Sequence, residues 1–160
     1  GHLKSGKGDD RENFINKLIT LNKNIKFDVY GMNNVQPIWA DQFIKKIANS
    51  YMGLNLSRGK PIKYYSSDRI VQLIANGVLT FIDKKTMLHE IISPKGVVYY
   101  SSLNDLIKKI KFYKKNPKLI SKISSYGKRE YFRKFNSNII SKYIIEKTLR
   151  IKSNQKYHWK

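Results

Sequence analysis

Residues 67–83 read Ser67-Asp-Arg-Ile-Val-Gln-Leu-Ile-Ala-Asn-Gly-Val-Leu-Thr-Phe-Ile-Asp83. Ser67 or Asp68 is of the type that caps a helix start, where a side-chain oxygen satisfies an orphan N–H of the first turn. Asn76-Gly77 supplies the left-handed residue that ends a helix. The run 78–82 is apolar at four of five positions and suits a strand buried on both faces. In the helix, spacings of three and four put Ile70, Leu73 and Ile74 on one face and Arg69, Gln72 and Asn76 on another. A helix with an apolar back and a polar front, leading straight into a core strand, is an α/β device that can hold side chains toward a ligand.

Downstream of this stretch, residues 86–92 read as a short helix, and Gly-Val-Val-Tyr-Tyr at 96–100 reads as a strand after the Ser93-Pro94 break. Ser102 caps a helix that turns Leu103, Leu106, Ile107, Ile110 and Tyr113 inward and stops before Asn116-Pro117. Pro117 restarts a helix in its first turn; it runs to Phe135 with a break expected near Gly127. A last helix covers 139–151, and residues 152–160 read as a flexible basic tail. Upstream lie a strand at 51–57, a helix with Phe43, Ile44, Ile47 and Ala48 on one face, and a strand at 25–30 entering Gly31. Before these come a helix marked by Phe14, Leu18 and Leu21 and a glycine-containing loop at 3–10.

Strands alternating with helices call for a parallel sheet joined by right-handed crossovers. The expectation is a Rossmann-like open sheet with helices on both faces, plus C-terminal helices, over residues 3–151. A phosphate-type loop at 5–8 normally follows a first strand, and only Leu3 precedes this one. The missing strand and the non-Met start suggest a fragment of a longer two-domain chain.

Composition narrows the classes. Hydrophobic content of 41% in 160 residues belongs to a globular domain. The absence of cysteine excludes disulfides and thiolate metal sites, and no apolar run reaches the roughly 20 residues of a membrane span. The formal charge of +21 partly reflects a Lys, Ile and Asn bias of the kind AT-rich coding produces. Its placement says more: from Lys108 onward, 14 Lys and 3 Arg face only Glu130 and Glu146. Such a surface attracts an anionic membrane, a nucleic acid or an acidic polymer, unless it is merely a solvated helix surface.

In a doubly wound sheet the ligand crevice lies beyond the carboxyl ends of the strands. Four segments project there: 5–11, 31–35, 57–65 and 83–87. Lys7, Arg11, Arg58 and Arg69 could neutralise a diphosphate near the helix starts at 9–12 and 67–69. His2, His89 and His158 are scattered without metal-ligand spacing, and no nucleophile or Walker-type motif occurs. No catalytic residue stands out.

The run from Asp68 to Thr80 resembles the pattern Arg-x-x-Glu-x-x-Ala-x-Gly-x-x-x of the donor-binding, C-terminal domain of group 1 glycosyltransferases with the GT-B fold, and within them the CgeB-like subgroup. The Gly-Lys-Gly…Arg loop, Phe27-Asp-Val-Tyr-Gly31, Met52-Gly-Leu-Asn-Leu-Ser57, Val97-Val-Tyr-Tyr100, Asn104-Asp-Leu106, Tyr113 and Asn116-Pro117 follow in family order. The resemblance implies a nucleotide-diphosphate sugar as donor substrate, no cofactor and no obligatory metal. It implies that Gly8 with Lys7 or Arg11 holds the diphosphate and that Arg69 adds a contact. The donor set expected is Lys7, Gly8, Arg11, Gly31, Ser57, Arg58, Ser67, Arg69 and Gln72. Gln72 stands where the family has a ribose-gripping Glu, and Tyr64 where many relatives have another. The acceptor site and catalytic base would belong to an N-terminal domain, so this half alone is expected to transfer nothing. A cytoplasmic place follows, with peripheral contact to the inner face of a membrane. The alternative is a basic nucleic-acid-binding module without activity, with Tyr113, Tyr126, Tyr131, Phe132, Phe135 and Tyr143 interleaved among its cations.

Overall fold

The computed structural model describes residues 10–57 and 59–159. Strands β1 (Met52–Asn55), β2 (Leu79–Asp83) and β3 (Val98–Tyr100) pair in parallel in that spatial order. Met52 sits opposite Leu79, and Phe81 opposite Val98. Helices α1 (Arg11–Thr20), α2 (Ala40–Ala48) and α3 (Asp68–Ala75) precede the last two strands; α4 (Leu103–Lys114), α5 (Pro117–Phe135) and α6 (Ser137–Thr148) follow them. This is the Rossmann-like open sheet that the alternation implied.

Side-chain alternation sorts the core into two layers. Leu79, Phe81, Val98 and Tyr100 meet Leu18 of α1 and Leu106, Ile107 and Ile110 of α4. Ile82 and Val97 meet Ile70 and Ile74 of α3 together with Leu88 and Ile92. Burial of β2 on both faces explains why its sequence is nearly continuous in apolar residues. Helix α5 serves both layers, giving Ile120 to the first, while Tyr131 and Phe135 pack on the second.

The opening stretch folds as its sequence directs. Ser67 is the N-cap of α3 in extended backbone, and Gly77 takes the left-handed conformation at φ 73°. Elsewhere the structure differs from expectation. Residues 25–30 form no strand, because no neighbouring strand among the described residues pairs with their backbone; Ile25 and Phe27 instead lean on the first core layer. The helix expected at 86–92 is two short 3-10 turns, Lys84–Thr86 and Leu88–Glu90, separated by Met87 at φ 58°, which breaks helical hydrogen bonding.

Helix α5 also runs unbroken through Gly127. The glycine is there for proximity: a Cβ at 127 would lie 2.2 Å from the carbonyl oxygen of Gly96. The last helix begins earlier than expected, at Ser137, where Asn136 Oδ1 accepts from Ile139 N at 3.0 Å. It also ends earlier, at Thr148, before left-handed Arg150. Residues 157 and 159, in the stretch expected to be a flexible tail, pack back onto the helices. Tyr157 is only 6% exposed, its hydroxyl donates to Glu146 at 2.5 Å, and Trp159 stacks on Phe135.

Two outcomes follow. Gly127→Ala should gain helix propensity yet lose about 1–3 kcal/mol net, because the clash is with backbone that cannot rotate away. Gly77→Ala has ordinary space and should cost only the left-handed strain of about 1–2 kcal/mol; urea unfolding of both variants measures these costs. The Tyr157 hydrogen bond holds the Glu146 carboxyl below its ordinary 4.5, against the opposing effect of desolvation. A carboxyl lowered in the folded state stabilises above its unfolded pKa and loses that contribution as pH falls through the folded one. Trp159 emission should therefore shift on acidification below about 4.5 and, in Glu146→Gln, lose that dependence.

Candidate functional site

Parallel pairing places the carboxyl ends of β1, β2 and β3 on one side, where α3 and α4 also begin. The junction between β1 and α3 is tied twice. Ser67 Oγ donates to Oδ1 of Asn55 at 2.8 Å, and Asn55, at the last position of β1, is 2% exposed. Arg69 Nη1 donates to the carbonyl of Leu56 at 3.0 Å. A buried polar side chain needs such a partner, so Ser67 and Asn55 fix where α3 starts relative to the sheet.

Arg69 is half-buried and points along this junction. Burial, and secondarily the Arg11 guanidinium, lower its pKa, while Tyr65 raises it. Arginine stays charged regardless. The Arg11 influence comes from the first residue of α1. A helix start carries a partial positive charge that suits an anion.

The other expected residues divide. Ser57 Oγ is buried with no hydrogen-bond partner among the described residues, immediately after the Leu56 carbonyl that Arg69 holds. Gln72 lies one turn beyond Arg69 on α3, exposed, and its backbone carbonyl accepts from Asn76 Nδ2 at 2.7 Å. Gly31 is buried in a turn at φ 79°, and that turn is tied to α1 through Asn33 Nδ2 and Asn16 Oδ1 at 2.8 Å. Gly31 makes no hydrogen bond to Arg69 or Ser67. Lys7, Gly8 and Arg58 lie outside the described residues. Thus Ser57, Ser67 and Arg69 come together around one junction, with Gln72 on its outer helix face, while Arg11 is linked to it only through its electrostatic influence on Arg69.

Two residues escaped sequence reading. Asn55 anchors the junction, and its signal was a lone amide within the apolar run Met-Gly-Leu-Asn-Leu. Glu90 accepts a hydrogen bond from Tyr64, while Tyr64 N donates to Thr86 O at 2.8 Å, which joins the two crevice loops. Tyr64 therefore holds a carboxylate supplied from elsewhere in the chain. Among the described residues no group of three or more His, Asp or Glu could hold a metal ion.

A family model described as glycosyl transferase-like matches residues 11–146. The chain belongs to this glycosyl transferase-like family. The matched span runs from Arg11 through the junction to Glu146 and takes in nearly all the described secondary structure. No curated protein and no solved structure matches the chain. Membership in a glycosyl transferase-like family gives the β1–α3 junction a context of glycosyl transfer.

Ser67→Ala should strand the Asn55 amide oxygen and cost about 1–3 kcal/mol of stability, with Ser67→Thr close to the parent. Because Ser67 makes no side-chain capping bond, denaturant unfolding reads loss of the Asn55 contact and not loss of a helix cap.

Proposed function

We propose that this chain is the donor-binding half of a GT-B glycosyltransferase of the CgeB-like subgroup and binds a nucleotide-diphosphate sugar at the β1–α3 junction. The observation that carries the reading is the half-buried Arg69 guanidinium held by Leu56 O beside the carboxyl end of β1. Gly8 with Lys7 or Arg11 would hold the diphosphate, and Arg69, already oriented by Leu56 O, would add a further phosphate or sugar contact. Charge-assisted contacts of this kind are the strong ones. The Ser57 hydroxyl supplies an additional donor. Gln72 would face the ribose diol as an amide, a weaker partner than the carboxylate it replaces. The acceptor, and the base that activates it, are assigned to a separate N-terminal domain facing this crevice, and the pair would work in the cytoplasm.

A nucleic-acid-binding role has less support. Tyr131 and Phe135 pack on each other and on the α3 layer, Tyr113 packs on Phe81, and Tyr143 lies beneath Tyr157 and Trp159. Rings used in the interior are not available to stack on bases.

Isothermal titration with UDP, GDP and their sugars tests the reading. Arg69→Ala should weaken nucleotide binding about 10–100-fold, as loss of a charge-assisted contact does, and leave thermal unfolding within about 1 kcal/mol of the parent. Gln72→Glu should tighten binding of ribonucleotides by several-fold but not of their 2′,3′-dideoxy analogues. Absence of nucleotide binding to millimolar concentration, here and in a two-domain protein, would contradict the proposal.

A further inference from the structure

We propose that the groove between α2 and the extended segment 25–30 binds a saccharide carrying one anionic group, at a site apart from the β1–α3 junction. Alternation along the segment sends Ile25 and Phe27 to the first core layer and turns Lys26 and Asp28 to the opposite side. On α2, Phe43 and Ile47 pack on Leu73 and Val78. The neighbouring stripe of that helix is Gln42, Lys45, Lys46 and Asn49, at helical spacings that put them on one face. That stripe lines the same space as Lys26 and Asp28. The space measures about 410 Å³, within the roughly 300–1,000 Å³ of small-molecule sites.

The lining selects the ligand. Three lysines stand against one acid, Asp28, so the groove is cationic. Lys46 and Asp28 belong to its wall. The Lys46 ammonium lies 5.8 Å from the centre of the Tyr30 ring. Tyr30 first, by hydrogen bond and charge, and then Asp28 hold its pKa above the ordinary 10.5. Lys26 and Lys45, in contrast, make no ion pair and no side-chain hydrogen bond among the described residues. Two unpaired ammonium groups on one groove suit a single compact anion, a phosphate or a carboxylate.

A bare anion would leave the amides unused. Asn49 Nδ2 is engaged by the Lys45 carbonyl at 2.9 Å, so its amide oxygen remains to accept. Gln42 can donate and accept. That combination matches hydroxyl groups, and in a chain of a glycosyl transferase-like family the hydroxyl-rich ligand is a sugar. The inference rests on that membership and not on donor binding, because the groove shares no residue with the Asn55, Ser67 and Arg69 contacts.

Amide chemical shifts of the isotope-labelled chain, followed while glucose-6-phosphate, glucuronate, glucose or inorganic phosphate is added, test this. Saturable shifts are expected at residues 26–28 and 42–49. One of the two sugar acids should bind about tenfold more tightly than glucose or inorganic phosphate, and which one does so identifies the anion. Lys26→Gln combined with Lys45→Gln should weaken that sugar acid about tenfold. Gln42→Leu should weaken it several-fold and leave inorganic phosphate unchanged. These side chains are exposed, and unchanged thermal unfolding of the variants shows that the fold is kept. UDP added separately should move residues 55–69 instead; if it moves none, the donor reading fails and this one stands. The proposal is overturned if neither sugar acid saturates by tens of millimolar, or if the double lysine variant binds as the parent does. It is equally overturned if inorganic phosphate binds as tightly as the sugar acid, which marks a bare anion site. Shifts scattered over the lysine-rich C-terminal helices, the mark of non-specific attraction to a basic chain, would overturn it too.

Discussion

The hydrogen bond from Ser67 to Asn55 is the constraint on which the site depends. Strand β1 ends at a fully buried amide, and a buried amide oxygen without a donor is costly. The nearest solution is the hydroxyl at the start of α3, so the helix begins at one place relative to the sheet. Arg69 then falls within reach of Leu56 O, and its guanidinium is held at the carboxyl end of the sheet instead of swinging in solvent. Removing this tie would leave the helix and strand intact as elements but would free their relative position.

A second constraint acts at the far side of the core. Gly96 and Gly127 let the turn before β3 and helix α5 approach until backbone meets backbone, and α5 lays Tyr131 and Phe135 on the α3 layer. Glycine lowers helix stability by roughly 1 kcal/mol relative to alanine. Here that loss is offset by an approach no other residue permits. A single long helix thereby secures the back of α3 while its front remains turned toward the crevice.

Much of this was legible. The N-cap at Ser67, the left-handed Gly77, the buried strand after it and the helix boundary at Asn116-Pro117 are local matters of hydrogen-bond satisfaction and backbone sterics. Periodicity identified Ile70, Leu73 and Ile74 as the buried face. The candidate site was legible in part: Arg69 and Gln72 stood out as a polar face, and the resemblance to group 1 glycosyltransferases agrees with the glycosyl transferase-like match at the level of glycosyl transfer. The strand at 25–30 and the break at Gly127 were misread because each depends on a neighbour distant in sequence. A strand exists only where another strand pairs with it, and a helical glycine breaks or serves according to what packs against it.

The sequence by itself determined the class of fold, the order of its elements, the polar front of α3 and the excess of positive charge in its final third, because these follow from residue types at short spacing. The tertiary structure alone decided that Arg69 reaches Leu56 O, that Asn55 anchors Ser67, that Glu90 answers Tyr64, and that Tyr157 closes the inner face of α6. The reason is physical. Each of these contacts joins residues whose separation is set by how layers stack, and no local periodicity encodes that distance.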